Sequence, residues 1–251
     1  MDNSNTRYSL LDSLRGFAVI NMIAYHFIYD LKFIFARDIG WFGNFGTYLW
    51  EQGICILFIL ISGICANFGR NKLRRGITLL LCGSAITVVT SLMLPNEAVH
   101  FGVLSFIGSA VLLMIPLEKL ISRLNPVLGL FGSFALFALT KQIDNGFLGF
   151  FDLRLLPLPK VLYSFEFLAF LGFPSPNFRS SDYFPLIPWL FLFTFGYFLW
   201  RILKAKNADR FFTAKVPFFN AVGKHSLIIY IVHQPVIYGV LYLVFQTGLF
   251  G

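Results

Sequence analysis

The chain has 251 residues, 57% of them hydrophobic and only 13% charged, with a mean hydropathy of +0.73 and 32 Phe. Soluble domains carry about 25% charged residues, so this composition excludes a cytosolic enzyme, a nucleic-acid-binding module and a disulfide-rich secreted domain. The net charge of +8 is explained by topology and needs no nucleic-acid partner.

In chain order, apolar runs near Leu11–Tyr29, Tyr48–Phe68, Ile77–Leu94, Phe101–Leu117, Pro126–Leu139, Phe184–Leu203 and Ser226–Phe250 read as membrane spans. A helix needs about 20 mainly apolar residues to cross the hydrocarbon, and only the fifth run is short. The first run carries Asp12 and Arg15, which marks a retained span and not a cleaved signal peptide. Val161–Phe173, between Pro157, Pro159, Pro174 and Pro176, is too short to cross easily and reads as a re-entrant or interfacial segment. No internal repeat or linker interrupts the chain. The expected fold is an all-α polytopic transmembrane bundle of about seven spans, forming one domain over residues 1–251.

Basic residues gather on the cytoplasmic side of membrane proteins. With the N-terminus inside, the inner segments hold 14 basic and 4 acidic residues, against 6 and 8 elsewhere. That split implies an N-in, C-out orientation. Cys55, Cys65 and Cys82 sit within apolar runs and read as small buried hydrophobes, so no metal site is expected.

Ionisable residues inside a membrane are costly and call for a reason. The first span has Asp12, Arg15, His26 and Asp30. At ~100° per residue all four fall within ~40° of one stripe, and His26 lies about 16 Å along the axis from Arg15, near mid-depth. An imidazole one turn from a carboxylate can be held in one tautomer and supported when it takes a proton. The structural reading is an interfacial Asp12–Arg15 pair with His26 bonded to a neighbouring helix; the alignment favours function.

Here the residues resemble a family. The run Leu11-Asp12-Ser13-Leu14-Arg15-Gly16-Phe17-Ala18, with Met22 and His26-Phe27-Ile28-Tyr29-Asp30, looks like the start of membrane acyltransferases. Ten residues separate Arg15 from His26, as in the Arg-x10-His motif of the acyltransferase type three family. Over about Arg7 to Tyr238 the chain is more similar to a relative, the heparan-alpha-glucosaminide N-acetyltransferase catalytic-domain family in its short bacterial form. Supporting blocks are Leu57–Gly63, Phe101–Leu104, Asp182–Trp189 and Gly223–Pro235.

The resemblance implies transfer of an acyl group from cytoplasmic acyl-CoA, acetyl-CoA foremost, to an amine or hydroxyl of an extracytoplasmic acceptor such as a sugar. It implies His26 as general base or acyl-carrying nucleophile. Animal members are associated with a catalytic His between the first two spans; Leu31–Thr47 contains none here. The implied setting is a bacterial plasma membrane, with a homodimer as one assembly.

Around this centre Asp30 is expected to orient His26, Arg15 to organise the CoA end and Glu51 to bind the acceptor. Arg70, Lys72, Arg74 and Arg75 suit the phosphates of CoA, although such a cluster also sets topology. Ser62 and Asn67 either admit the pantetheine arm or pack helices. His233, before Pro235, either lines the tunnel near the thioester or satisfies the backbone that proline opens. The rival reading is a proton-coupled transporter with His26 and Asp30 as its relay, and a third is a non-catalytic membrane partner.

Overall fold

The computed structural model describes residues 7–69, 71–150 and 153–246. Eight α-helices are formed among these residues: α1 (Ser9–Tyr29), α2 (Phe45–Cys65), α3 (Lys72–Met93), α4 (Val103–Ile121), α5 (Pro126–Thr140), α6 (Leu186–Ala205), α7 (Pro217–Lys224) and α8 (Ser226–Gln246). Seven segments are long and apolar enough to cross a membrane, the fifth extending through Asn145. Each overlaps one of the seven expected runs; Asp182, shortly before α6, meets the start of α4, accepting from Val103 N–H at 3.2 Å. Large apolar side chains such as Leu92 (78% exposed) and Leu128 (73%) are left uncovered by protein, an arrangement suited to lipid and not to water.

The chain forms two compact units, Met1–Ile61 with Asn207–Gly251, and Ser62–Lys206. In the first unit, α1 crosses the short α7 where each contributes a glycine. A Cβ on Gly16 would lie 1.9 Å from the Phe219 carbonyl oxygen, and one on Gly223 1.7 Å from that of Asp12. Only hydrogen fits at these two positions, so backbone packs on backbone, as membrane helix interfaces favour. Polar side chains fasten the crossing: buried Asn220 donates to the Ser9 carbonyl at 2.9 Å, and Ser13 Oγ accepts from Val216 N–H at 3.2 Å.

Beyond Tyr29 the first span widens into a π-helical turn, Asp30–Ile34, in which Phe35 N–H donates to the Asp30 carbonyl at 2.9 Å. Such turns are frequent at functional sites. Lys32 Nζ then donates to the carbonyls of Ile39 and Phe42. Asn44 starts α2 by accepting from Thr47 N–H at 3.0 Å, a side-chain cap on orphan helix donors.

In the second unit, α3 packs on α4 through Gly76, Gly83 and Gly108, and α5 on α6 through a buried Ser133–Thr194 hydroxyl pair at 3.1 Å. Between α5 and α6 a hairpin, β1 (Phe147–Phe150) and β2 (Leu153–Pro157), is followed by short 3-10 turns at Lys160–Ser164 and Glu166–Leu171. The segment expected to re-enter or lie at the interface thus forms tight turns and no crossing helix. The hairpin was not anticipated, because its strands are short and the turn-forming Gly and Asn around them read as plain loop.

Candidate functional site

The first unit concentrates buried polarity at the π-helical end of α1. One turn separates His26 from Asp30, and both are presented to α8. The Asp30 side chain is fully buried, and Gln234 Nε2 donates to its two oxygens at 2.8 and 3.0 Å. The expected partner of Asp30 was His26; the donor that the carboxylate meets on α8 is the Gln234 amide. His26 instead makes ring contacts, with His233 at 5.0 Å between centroids, Tyr25 at 5.9 Å and Tyr29 at 6.5 Å.

α8 is shaped here by Pro235, which has no N–H to give the preceding turn. His233 sits two residues before it and is 9% exposed. Its Nδ1 is hydrogen-bonded to the Tyr230 carbonyl. The carbonyl that Pro235 leaves without its helical donor is that of Ile231, so this bond to Tyr230 is not the expected satisfaction of the opened backbone; the other ring nitrogen, Nε2, has no hydrogen-bond partner among the described residues.

A second polar layer joins α1 to α2. The Tyr25 hydroxyl donates to Glu51 Oε2 at 2.8 Å, and Trp50 Nε1 donates to Asn21 Oδ1 at 3.1 Å. Asn21, Tyr25 and Tyr29 recur at helical spacing, so their i,i+4 positions were the available signal for Tyr25, which the sequence reading did not single out. Glu51 thus lies one residue from His26 through Tyr25. Gln234 was a weaker signal still, since it stands 204 residues from the carboxylate it binds.

At the opposite end of α1, Asp12 accepts from Arg7 at 2.8 Å and from Arg15 at 3.1 Å, one guanidinium on each oxygen. Arg15 is therefore held by Asp12, some 16 Å from His26 by helical rise.

The remaining expected residues belong to the second unit. Lys72 forms an ion pair with Glu118 on α4. Arg74 is exposed and Arg75 half-buried; Arg70 lies outside the described residues. Asn67 Nδ2 donates to the carbonyls of Ile64 at 3.1 Å and Tyr197 at 3.2 Å. Ser62 is buried beside Gly63, whose Cβ would stand 2.0 Å from the Phe193 carbonyl oxygen. Asn67 thus ties the chain after α2 to α6, and the close backbone approach next to Ser62 is made by Gly63. Among the described residues no cluster of three His, Cys, Asp or Glu is placed to hold a metal.

The loops of the second unit also form an open cleft of about 540 Å³, lined by Asp144, Tyr163, Phe178, Arg179 and Tyr183 among others. Burial and the nearby Asp144 carboxylate push the Tyr163 and Tyr183 hydroxyls above the usual phenol range. Those hydroxyls donate to the carbonyls of Ile143 and Ala169 and brace the wall.

Seven membrane-length helices and a buried imidazole–carboxamide–carboxylate group define a polytopic integral membrane protein with a polar centre inside its spans. Residues 7–235 match the family model described as heparan-alpha-glucosaminide N-acetyltransferase, catalytic. The chain belongs to that family, and its class is that of membrane acetyltransferases. Comparisons with curated proteins and with solved structures returned no match.

Proposed function

We propose that the protein transfers an acetyl or other acyl group from cytoplasmic acyl-CoA to an amine or hydroxyl of an extracytoplasmic acceptor, a sugar or other small molecule, with His26 as general base. The observation that carries this reading is the His26 ring set inside a span against the ring of His233, beside the buried Asp30–Gln234 pair. A titratable ring at that depth is expensive unless used.

In the reaction the acceptor's lone pair attacks the thioester carbonyl carbon while His26 takes its proton. The tetrahedral centre then collapses, the C–S bond breaks, and the sulfur leaves as CoA–SH with the proton returned by His26. General-base catalysis of this kind contributes ~10²–10⁴-fold, and positioning of donor and acceptor supplies the remainder.

The other residues serve that centre. Asp30, fixed by Gln234, supplies negative charge that favours the imidazolium formed during attack. Arg15 organises the CoA end of the span, and Glu51, with Tyr25, faces the acceptor. Arg70, Arg74 and Arg75 neutralise the phosphates of CoA; Lys72 shares its charge with Glu118. The positive balance of the inner segments supports an N-in, C-out chain, in the plasma membrane of a bacterium.

The test is CoA–SH release from acetyl-CoA by protein purified in detergent, with and without a primary amine acceptor. Acceptor-dependent release that His26→Ala abolishes, with thermal stability retained, supports the reading. Proton-coupled uptake into proteoliposomes without thioester turnover replaces it with transport.

A further inference from the structure

Two buried hydrogen-bond acceptors belong to consecutive residues of α8, both turned to the end of α1 that carries His26 and Asp30. A carbonyl has only lone pairs to offer, so the His233 Nδ1 bound to the Tyr230 carbonyl carries the ring proton, and Nε2 of the neutral ring is a bare acceptor. Gln234 spends its amide hydrogens on Asp30, which leaves Oε1 as an acceptor. Both Nε2 and Oε1 are buried and without a hydrogen-bond partner among the described residues. Unmet acceptors in so apolar a setting cost free energy, and native structures retain them where a ligand or catalytic role explains them.

The surroundings specify what would meet them. Both atoms are acceptors, so the ligand brings N–H or O–H donors. Donation from Gln234 to the Asp30 carboxylate polarises the amide and strengthens Oε1 as an acceptor. The carboxylate also favours a donor that carries positive charge. The His26 ring, 5.0 Å from that of His233, is the proton acceptor of the proposed reaction.

We propose that His233 Nε2 and Gln234 Oε1 are the recognition pair for the primary amine of the acyl acceptor, an inference that rests on the acyl-transfer reading above. It sets His233 on the acceptor side of the reaction, apart from both sequence readings, the thioester end of the tunnel and the backbone opened by Pro235. A neutral amine has two N–H hydrogens. One passes to His26 as the C–N bond forms and the C–S bond breaks, with the electron pair leaving on sulfur. The other stays bonded to the pair throughout. A hydroxyl has a single hydrogen, which His26 requires, so it leaves the pair unmet. The pair therefore selects amines over hydroxyls.

The experiment uses the full-length protein in detergent with acetyl-CoA as donor and glucosamine or glucose as matched acceptors. His233→Phe keeps a ring and removes both nitrogens; Gln234→Met removes Oε1 at nearly constant length and, with it, the amide hydrogens that Asp30 accepts, a loss read in kcat and separable from the acceptor KM. Each variant is expected to raise the KM for glucosamine about ten- to hundredfold and to lower the amine-over-hydroxyl preference by a similar factor. Acetyl-CoA affinity measured by calorimetry stays within about twofold of wild type, since neither side chain touches the acyl donor in this arrangement. Unchanged glucosamine KM and preference in an active protein overturn the recognition pair while leaving acyl transfer intact. Loss of acetyl-CoA affinity in step with glucosamine affinity also overturns it, by returning His233 to the donor side. Wild-type protein that transfers acetyl to neither acceptor removes the acyl-transfer reading and this inference together. If His233→Phe fails to fold, Gln234→Met alone decides.

Discussion

The two ends of α1 carry the same kind of residue on one helical stripe, yet their chemistry differs. At the Asp12 end, each carboxylate oxygen has its own guanidinium, from Arg7 and Arg15, so both acceptors are met by charged donors. At the His26 end, Asp30 is fully buried and served by a neutral amide, while two neighbouring acceptors on α8 have no partner among the described residues. A charge inside a membrane segment therefore says little about function until its partners are counted. Completed pairs anchor the helix, and incompletely met groups mark where a reacting molecule would contribute the missing bonds.

Several substitutions sharpen or break this contrast. The largest effect should come from the α1–α7 crossing, which fixes the Asp12 end of α1. Gly16→Ala or Gly223→Ala drives a methyl into a backbone carbonyl less than 2 Å away, so the helices must part. The cost is expected at the upper end of the ~1–3 kcal/mol overpacking range, read as a lowered melting temperature in detergent.

Next comes Asp30→Ala, which strips the Gln234 amide of its acceptor inside the protein. A loss of about 1–3 kcal/mol is expected in the same melting assay, together with reduced acetyl transfer. If stability and turnover both survive, the carboxylate is a bystander. At the opposite end, Arg15→Gln should raise the KM for acetyl-CoA by about three- to tenfold and spare kcat, the pattern of lost ground-state binding. An unchanged KM would make the Asp12 cluster purely an anchor. The smallest change is expected for Glu51→Gln, which still accepts the Tyr25 hydroxyl; acceptor kinetics should stay within about threefold, because only the charged character of that hydrogen bond is lost.

Much of this architecture was legible in the sequence because it depends on local properties. Hydropathy runs of about 20 residues locate membrane helices, and a 100° step per residue is enough to put His26 and Asp30 on one face. The Arg-x10-His spacing and the blocks before Trp189 and Pro235 carried the family resemblance that the match over residues 7–235 bears out. What stayed hidden depends on partners distant in the chain. Nothing near Asp30 announces Gln234, and nothing near Gly16 announces that α7 will rest on it. The eight-residue α7 also lies within a stretch whose basic residues read as inner loop. Ser62 and Asn67 were ambiguous for a related reason: small and amide side chains serve close packing and ligand approach equally well, and the Tyr197 carbonyl that Asn67 meets is 130 residues away in the chain.

The most direct test of the central claim compares the two ends of α1 in one assay, labelled acetyl transfer from acetyl-CoA to glucosamine by purified wild type, His26→Phe and Asp12→Asn. His26→Phe is expected to lose about a hundredfold or more in kcat, with Asp12→Asn within about threefold of wild type, as for a partly exposed ion pair. Equal kcat for His26→Phe and wild type, or a larger loss for Asp12→Asn than for His26→Phe, would contradict the account.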